Sequence, residues 1–232
     1  MRTPVLHISL FISLLLAGVL SIATLGVCFA QSSFTSQSTT QLSNEDKTGD
    51  IFSPSRIQVF DKQENLMIDE AVAIGDSSYW LHHSIDGMPS IAGTPFLDER
   101  CSGSSQHLMI YGHHIGSTGV FGPISKSFKQ ETFDSIGEIK LTVCNAEGIS
   151  KELSFAPCCA ARVLEDEQVI QQVSFSDKDE YGEWISTIYE SAQARSSQSP
   201  QGDITSQSLS LVTCSEDTPN QPWRCVLTCL PE

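Results

Sequence analysis

The chain has 232 residues, of which 13 are Lys or Arg and 28 are Asp or Glu, for a net charge of -15. So acidic a chain is repelled by phosphate backbones and anionic headgroups, which excludes a general nucleic-acid-binding surface; an anionic partner would need a local site. Once the N-terminal segment is set aside, the length suits one domain of about 150–180 residues around a single core.

In chain order, Arg2 is followed by a run from Thr3 to Asn44 without Lys, Arg, Asp or Glu. Val5 to Ala30 within it is apolar over a length that suits a bilayer span, about 20 residues, better than the shorter core of a cleaved leader. Residues 1–30 are therefore expected to be a signal anchor, with the N-terminus inside and the rest of a single-pass protein extracytoplasmic. Residues 31–54, rich in Ser, Thr and Gln, hold too little apolar surface to offset their ordering entropy and read as a tether.

From 55 to 232 the apolar runs are short, alternating and punctuated by Gly, Pro, Asp and Ser. Arg56–Phe60, Leu108–Tyr111, Glu138–Val143 and Leu209–Val212 show the period of half-buried strands, so the domain is predicted to be mainly β. Asp177 to Ala194 differs: Tyr181, Trp184, Ile185, Ile188 and Ala192 fall at helical spacing behind a capping pair, Asp177 and Glu180, which predicts an amphipathic helix. A shorter helix is predicted over Pro123–Phe128.

Cys214 closes a predicted strand on the face shared with Ser208, Ser210 and Val212, the more polar face by sequence. A turn-rich stretch follows, then a last strand that begins near Arg224. A free thiol titrates near pH 8.5, so a nucleophilic Cys needs a base or cation beside it. His113 or His114, after a strand and Gly112, offers the proton transfer, and Arg224 offers permanent donors to a developing oxyanion.

These residues resemble the motifs of the sortases. Ser210-Leu211-Val212-Thr213-Cys214 is similar to the Thr-Leu-x-Thr-Cys motif, with Ser210 in place of Thr; Tyr111-Gly112-His113-His114 resembles the histidine motif; Arg224 falls where the family arginine follows the Cys. The order His, Cys, Arg agrees, whereas a papain-like protease has Cys before His. Gly75–His83 and Gly93–Arg100 resemble the segments before the histidine in class B members, and the resemblance covers Ile68 to the C-terminus. The helical N-terminal region usual in class B has no counterpart in the periodicity of residues 31–55.

What the resemblance implies is a closed eight-stranded β-barrel with a helix before the strand of the catalytic Cys. It implies a membrane-anchored transpeptidase without a cofactor or metal, in which Cys214 attacks the carbonyl after Thr in a C-terminal sorting signal of a surface protein. The thioester is then resolved by an amine of a cell-wall precursor or a pilin lysine. By the family pattern His113, directly after Gly, is the acid/base and Arg224 the oxyanion-side cation; His114 is the alternate and Thr213 a supporting residue.

Of the eight cysteines, setting aside Cys28 and Cys214 leaves Cys101, Cys144, Cys158, Cys159, Cys225 and Cys229, whose pairing the spacing cannot choose. Adjacent residues of a strand point to opposite faces, so Cys158 and Cys159 are not expected to face one partner. Without a Cys-x-x-Cys pair, zinc is disfavoured. The competing reading is a secreted, disulfide-stabilised binding module in which Cys214 is bridged.

Overall fold

The computed structural model describes residues 53–115, 120–198, 200, 207–217 and 221–232. The expected signal anchor and nearly all of the tether lie outside these residues. Among the described residues no helix is long and apolar enough to cross a membrane.

Strands β1 (Ser53–Asp61), β2 (Leu66–Ala71), β3 (Phe96–Leu97), β4 (His107–Tyr111), β5 (Ile136–Cys144), β6 (Ser150–Leu164), β7 (Ala194–Arg195), β8 (Ser208–Cys214) and β9 (Trp223–Pro231) form one sheet. The period-2 pattern decides their faces. On β1, Ile57 and Val59 are wholly buried, while Arg56 faces solvent and pairs with Asp69 of β2 at 2.6 Å. On β5, Ile139, Leu141 and Val143 turn inward in the same way.

The hydrogen-bonded order is β2-β1-β5-β6-β9-β8-β4-β3, with β7 on β6. All pairs are antiparallel except β4 with β8, which run parallel. This corrects the expectation of a closed barrel. The path has two ends, β2 and β3, and among the described residues only an isolated bridge from Ala73, just after β2, to Phe96 links them, so the sheet is a curled half-barrel. The physical reason is length: β3 has two residues, too few to carry a ladder to β2.

The main core holds Ile57, Ile110, Leu141, Phe155, Leu209 and Leu227, closed by Phe121 and Phe133. Ile124 joins it from a 3-10 turn at Gly122–Ile124, and Phe133 from helix α2 (Gln130–Ser135), so the short helix expected over 123–128 is replaced by these two pieces. Helix α1 (Ser77–Trp80) is a single turn capped by Asp76.

The opposite face of the sheet is covered by helix α3 (Lys178–Ser191). Asp177 caps it by accepting from the Glu180 N–H at 2.9 Å. Tyr181, Trp184, Ile185 and Ile188 bury one side against Met109, Cys158, Cys159, Val212 and Val226. Burying each such apolar side chain is worth about 1.5–3 kcal/mol, so this contact, rather than helix propensity, holds α3 in place.

Cys158 and Cys159 both belong to this second cluster, contrary to strand alternation. The register between β6 and β9 slips at this point: Pro157 pairs with Cys229 and Cys159 with Thr228, leaving Cys158 as the extra residue of a β-bulge. The bulge turns two consecutive side chains to one face.

Candidate active site

The sheet register assembles the edge where Cys214 lies. Cys214, last residue of β8, is the Cα partner of Arg224 on β9. Directly paired residues project to the same face, so thiol and guanidinium emerge side by side. On the other flank, Tyr111 of β4 is in parallel register with Val212, and the Gly112 N–H extends the ladder to the Val212 carbonyl at 3.0 Å. Counting two residues on from each, His113 shares the face of Cys214, and His114 takes the opposite one.

Gly112 is required here by space. A Cβ at this position would stand 2.6 Å from the Phe121 ring, which is wholly buried and closes the core beneath the two histidines.

The contacts of the two rings agree with the faces. His113 donates from Nε2 to the Leu81 carbonyl at 2.8 Å, which leaves Nδ1 as the acceptor of the neutral ring. His113 also walls a cavity of about 440 Å³ with His82, Pro89, Ser90 and Ile91. His114 is inward, with 4% of its side chain exposed. Its Nδ1–H donates to the Cys214 carbonyl at 3.0 Å, and Nε2 lies 3.1 Å from Asp217. Thus His114 holds the backbone of the Cys strand while His113 shares the thiol's face.

Arg224 donates from Nη1 to the Gln221 carbonyl at 2.7 Å and from Nη2 to the Glu165 carboxylate. Of its five N–H donors, Nε–H and the second Nη2–H have no partner among the described residues. Glu165 was not foreseen from sequence, because it follows β6 and reaches Arg224 only through the long-range pairing of Leu164 with Trp223.

Arg162 is a second such residue. Its guanidinium sits 4.2 Å from the centre of the Trp223 ring and pairs with Glu216 at 2.6 Å. Its Nε also donates to Ser215 Oγ at 3.2 Å. Together with Lys126, which donates to the Ser215 carbonyl, it fastens the two residues that follow Cys214. Thr213 faces away from the thiol, buried opposite Cys225, and its Oγ1 has no hydrogen-bond partner among the described residues.

The face expected to be polar is buried for most of its length. Ser208 and Ser210 have no exposure beneath α3, and only Cys214 at the end of β8 reaches partial exposure. A buried chain of hydrogen bonds absorbs the polar groups: Ser210 Oγ lies 2.9 Å from Thr228 Oγ1 and 2.8 Å from His107 Nε2, and His107 Nδ1–H donates to the Gln172 carbonyl at 2.7 Å. Burial pushes the His107 pKa down to about 4, so the ring is neutral and Nε2 accepts from Ser210.

Among the described residues no cluster of His, Cys, Asp or Glu could hold a metal ion. Chemically, the ends of β8 and β9 offer a thiol, an imidazole nitrogen on the same side and two guanidinium donors without a partner among the described residues.

No protein-family model matches the chain, and no curated protein does. Solved structures do. Sortase B of Clostridium perfringens superposes with a TM-score of 0.63 at 20% identity, over 77% of this chain and 93% of that one. Sortase B of Staphylococcus aureus gives 0.60 at 15% identity, over 76% and 81%. A Bacillus anthracis protein described as similar to sortase B gives 0.62 at 16% identity, over 88% and 94%. At these identities the likeness is one of architecture, and the structural neighbours of this chain are class B sortases: it has their mainly β fold.

Proposed function

We propose that the chain is a sortase-type cysteine transpeptidase. The observation that carries this reading is the pairing of Cys214 with Arg224 at the ends of β8 and β9, with His113 two residues beyond the end of the adjoining strand β4, in step with Cys214. Among the described residues Cys214 has no disulfide partner and is partly exposed, as a nucleophile must be.

In the proposed reaction His113 takes the Cys214 thiol proton at Nδ1, and the thiolate attacks the carbonyl carbon after Thr in a sorting signal. The tetrahedral oxyanion is met by the free Arg224 donors, and the C–N bond breaks as His113 protonates the departing amine. The resulting thioester is attacked by a second amine, whose proton His113 takes as Cys214 leaves. Arg224 keeps its charge throughout. His114, on the Cys214 carbonyl, holds the strand, and Thr213, buried behind the thiol, faces away from the substrate side.

The substrates would be surface proteins with a C-terminal sorting signal, and the acceptor an amine of a cell-wall precursor or a pilin lysine. Structural neighbours include a Staphylococcus aureus sortase B–substrate complex and a sortase B complexed with triglycine, which supports a peptide donor and an amine acceptor. Residues 1–30 would anchor the enzyme in the cell membrane with the catalytic domain outside.

The test is to incubate the protein with Thr-containing peptides and an amine acceptor and to identify products by mass spectrometry. Cleavage after Thr with ligation to the amine is expected. A chain in which Cys214 is bridged, or which gives no thioester with any peptide, would overturn the proposal in favour of the binding module.

A further inference from the structure

A second imidazole stands in the wall of the cavity beside His113. The ring centres of His82 and His113 are 6.5 Å apart with their planes tilted by 38°, and Pro89, Ser90 and Ile91 complete the walls around about 440 Å³. Residues 82–90 double back as a tight hairpin, in which His83 bridges Pro89, the Ser84 N–H donates to the Met88 carbonyl and the Ser90 N–H to the His82 carbonyl, both at 2.8 Å. The Tyr79 ring of α1 stacks on His83 at 3.9 Å and fastens the root of the hairpin. The Leu81 carbonyl, one residue before His82, accepts from His113 Nε2, so a single segment carries one imidazole and orients the other. Gly93 returns over that carbonyl with φ at +63°, so close that a Cβ would stand 2.8 Å from the Leu81 oxygen. His113 is left with Nδ1 as its acceptor, and neither nitrogen of His82 has a hydrogen-bond partner among the described residues.

We infer that this cavity seats the incoming amine of the proposed transpeptidation and that His82 orients it; the inference rests on that proposal. A neutral primary amine has two N–H bonds and one lone pair. Two hydrogen bonds of about 3 Å, diverging from one nitrogen at the tetrahedral angle, reach ring centres about 6–7 Å apart. This matches the separation of His82 and His113. One N–H then points to a nitrogen of His82 and the other to His113 Nδ1, which leaves the lone pair for the thioester carbonyl. No Asp or Glu is among the walls to hold the amine in its ammonium form, which has no lone pair. Cys214 lies outside the walls, so the carbon chain of the amine fills the cavity and only its nitrogen passes His113.

As the new C–N bond forms, the C–S bond breaks, Cys214 leaves as the thiolate, and the proton of the N–H held by His113 passes to Nδ1. Thioester and amine thus become amide, thiolate and imidazolium, with no other reactant. His82 gains no proton; its hydrogen bond fixes the direction of the lone pair. Water needs no seat in the cavity, so hydrolysis of the same thioester is the internal reference for ligation.

The full chain is given the Thr-containing peptide that it cleaves, with triglycine as acceptor, and the triglycine concentration at which ligated and hydrolysed products are equal is read by mass spectrometry. In His82→Leu that concentration is expected to rise about tenfold, as one hydrogen bond to the amine is lost. His82→Gln, which retains an acceptor, should stay within about threefold of the parent. Ile91→Trp, at a side chain 85% exposed, narrows the cavity and should raise the concentration more for triglycine than for methylamine. Both products arise from one thioester, so a variant that merely disturbs the fold lowers them together and leaves this concentration unmoved. An unmoved value in His82→Leu, no recovery in His82→Gln, or an equal change for the two amines in Ile91→Trp would overturn the inference and leave the transpeptidase standing. A parent chain that forms no thioester with any peptide would overturn both.

Discussion

Glu165 accepts a hydrogen bond from Arg224 Nη2 although 59 residues separate them in the chain. The carboxylate, which directly follows β6, fixes one arm of the guanidinium, and the Gln221 carbonyl fixes the other at 2.7 Å. Glu165 thereby sets the direction in which the remaining donors point.

Replacing Glu165 by Gln keeps a hydrogen-bond acceptor but removes the charge. We expect kcat to fall by about tenfold, equivalent to about 1.4 kcal/mol of transition-state stabilisation, with KM little changed. Steady-state kinetics on a cleaved peptide would check this; an unchanged kcat would show that Arg224 needs no second anchor.

Cys214→Ala and Arg224→Ala separate chemistry from fold. Cys214 is at a strand end and Arg224 is partly exposed, so each variant should change stability by about 0.5 kcal/mol or less for the thiol and by about 1 kcal/mol for the paired arginine. Cys214→Ala should abolish the acyl-enzyme seen by intact mass. Arg224→Ala should lower turnover by about a hundredfold or more, as loss of an oxyanion donor does. Normal turnover in either variant rejects the proposed roles.

The two adjacent histidines should fail differently. His113→Ala is expected to lose turnover while melting near the parent. His114→Ala removes the bonds of a buried ring to the Cys214 carbonyl and Asp217, which should cost about 1–3 kcal/mol and lower Tm. Parental activity in His113→Ala together with loss in His114→Ala at equal stability would exchange their roles.

His107 predicts an acid-sensitive stability. Its folded pKa, pushed down to about 4 by burial, lies below the usual value of 6.5, so the unfolded chain binds more protons between these two pH values. Its contribution is fully present above pH 6.5, falls as pH drops toward about 4, and is then lost; the span corresponds to something on the order of 3 kcal/mol. Urea unfolding from pH 7 to pH 4 should show this slope, and His107→Gln should flatten it. An unchanged slope in the variant would move the effect to another group.

How far the sequence could be read depends on the range of the interaction involved. Alternation along β1 and β5 identifies Ile57, Val59, Ile139 and Leu141 as core because burial on a strand follows a period fixed by the backbone itself. The Cys, the histidine doublet and the arginine were visible as local motifs. Partners were not: nothing in Leu108–Tyr111 or Leu209–Val212 states that these strands run parallel, nor that β3 is too short to close the sheet. Alternation also failed where both faces are covered, as at Ser208 and Ser210 under α3, and where the bulge at Cys158 resets the parity. Glu165 and Arg162 carried no motif, because their importance comes from what the β6–β9 ladder brings beside them.

The parallel pairing of β4 with β8 also bears on when the site comes into being. His114 and the Cys214 carbonyl that it grips are 100 residues apart, so bringing β4 against β8 carries a loop-closure entropy of about 4 kcal/mol, against about 2 kcal/mol for the short connection between Cys214 and Arg224. The thiol and guanidinium can meet in an early hairpin, and the histidines join them only after the intervening chain has collapsed. If Cys214, Arg224 and His113 have the roles proposed above, a folding chain pairs its nucleophile with its cation before its base, and stays chemically silent until nearly all of the sheet is in place.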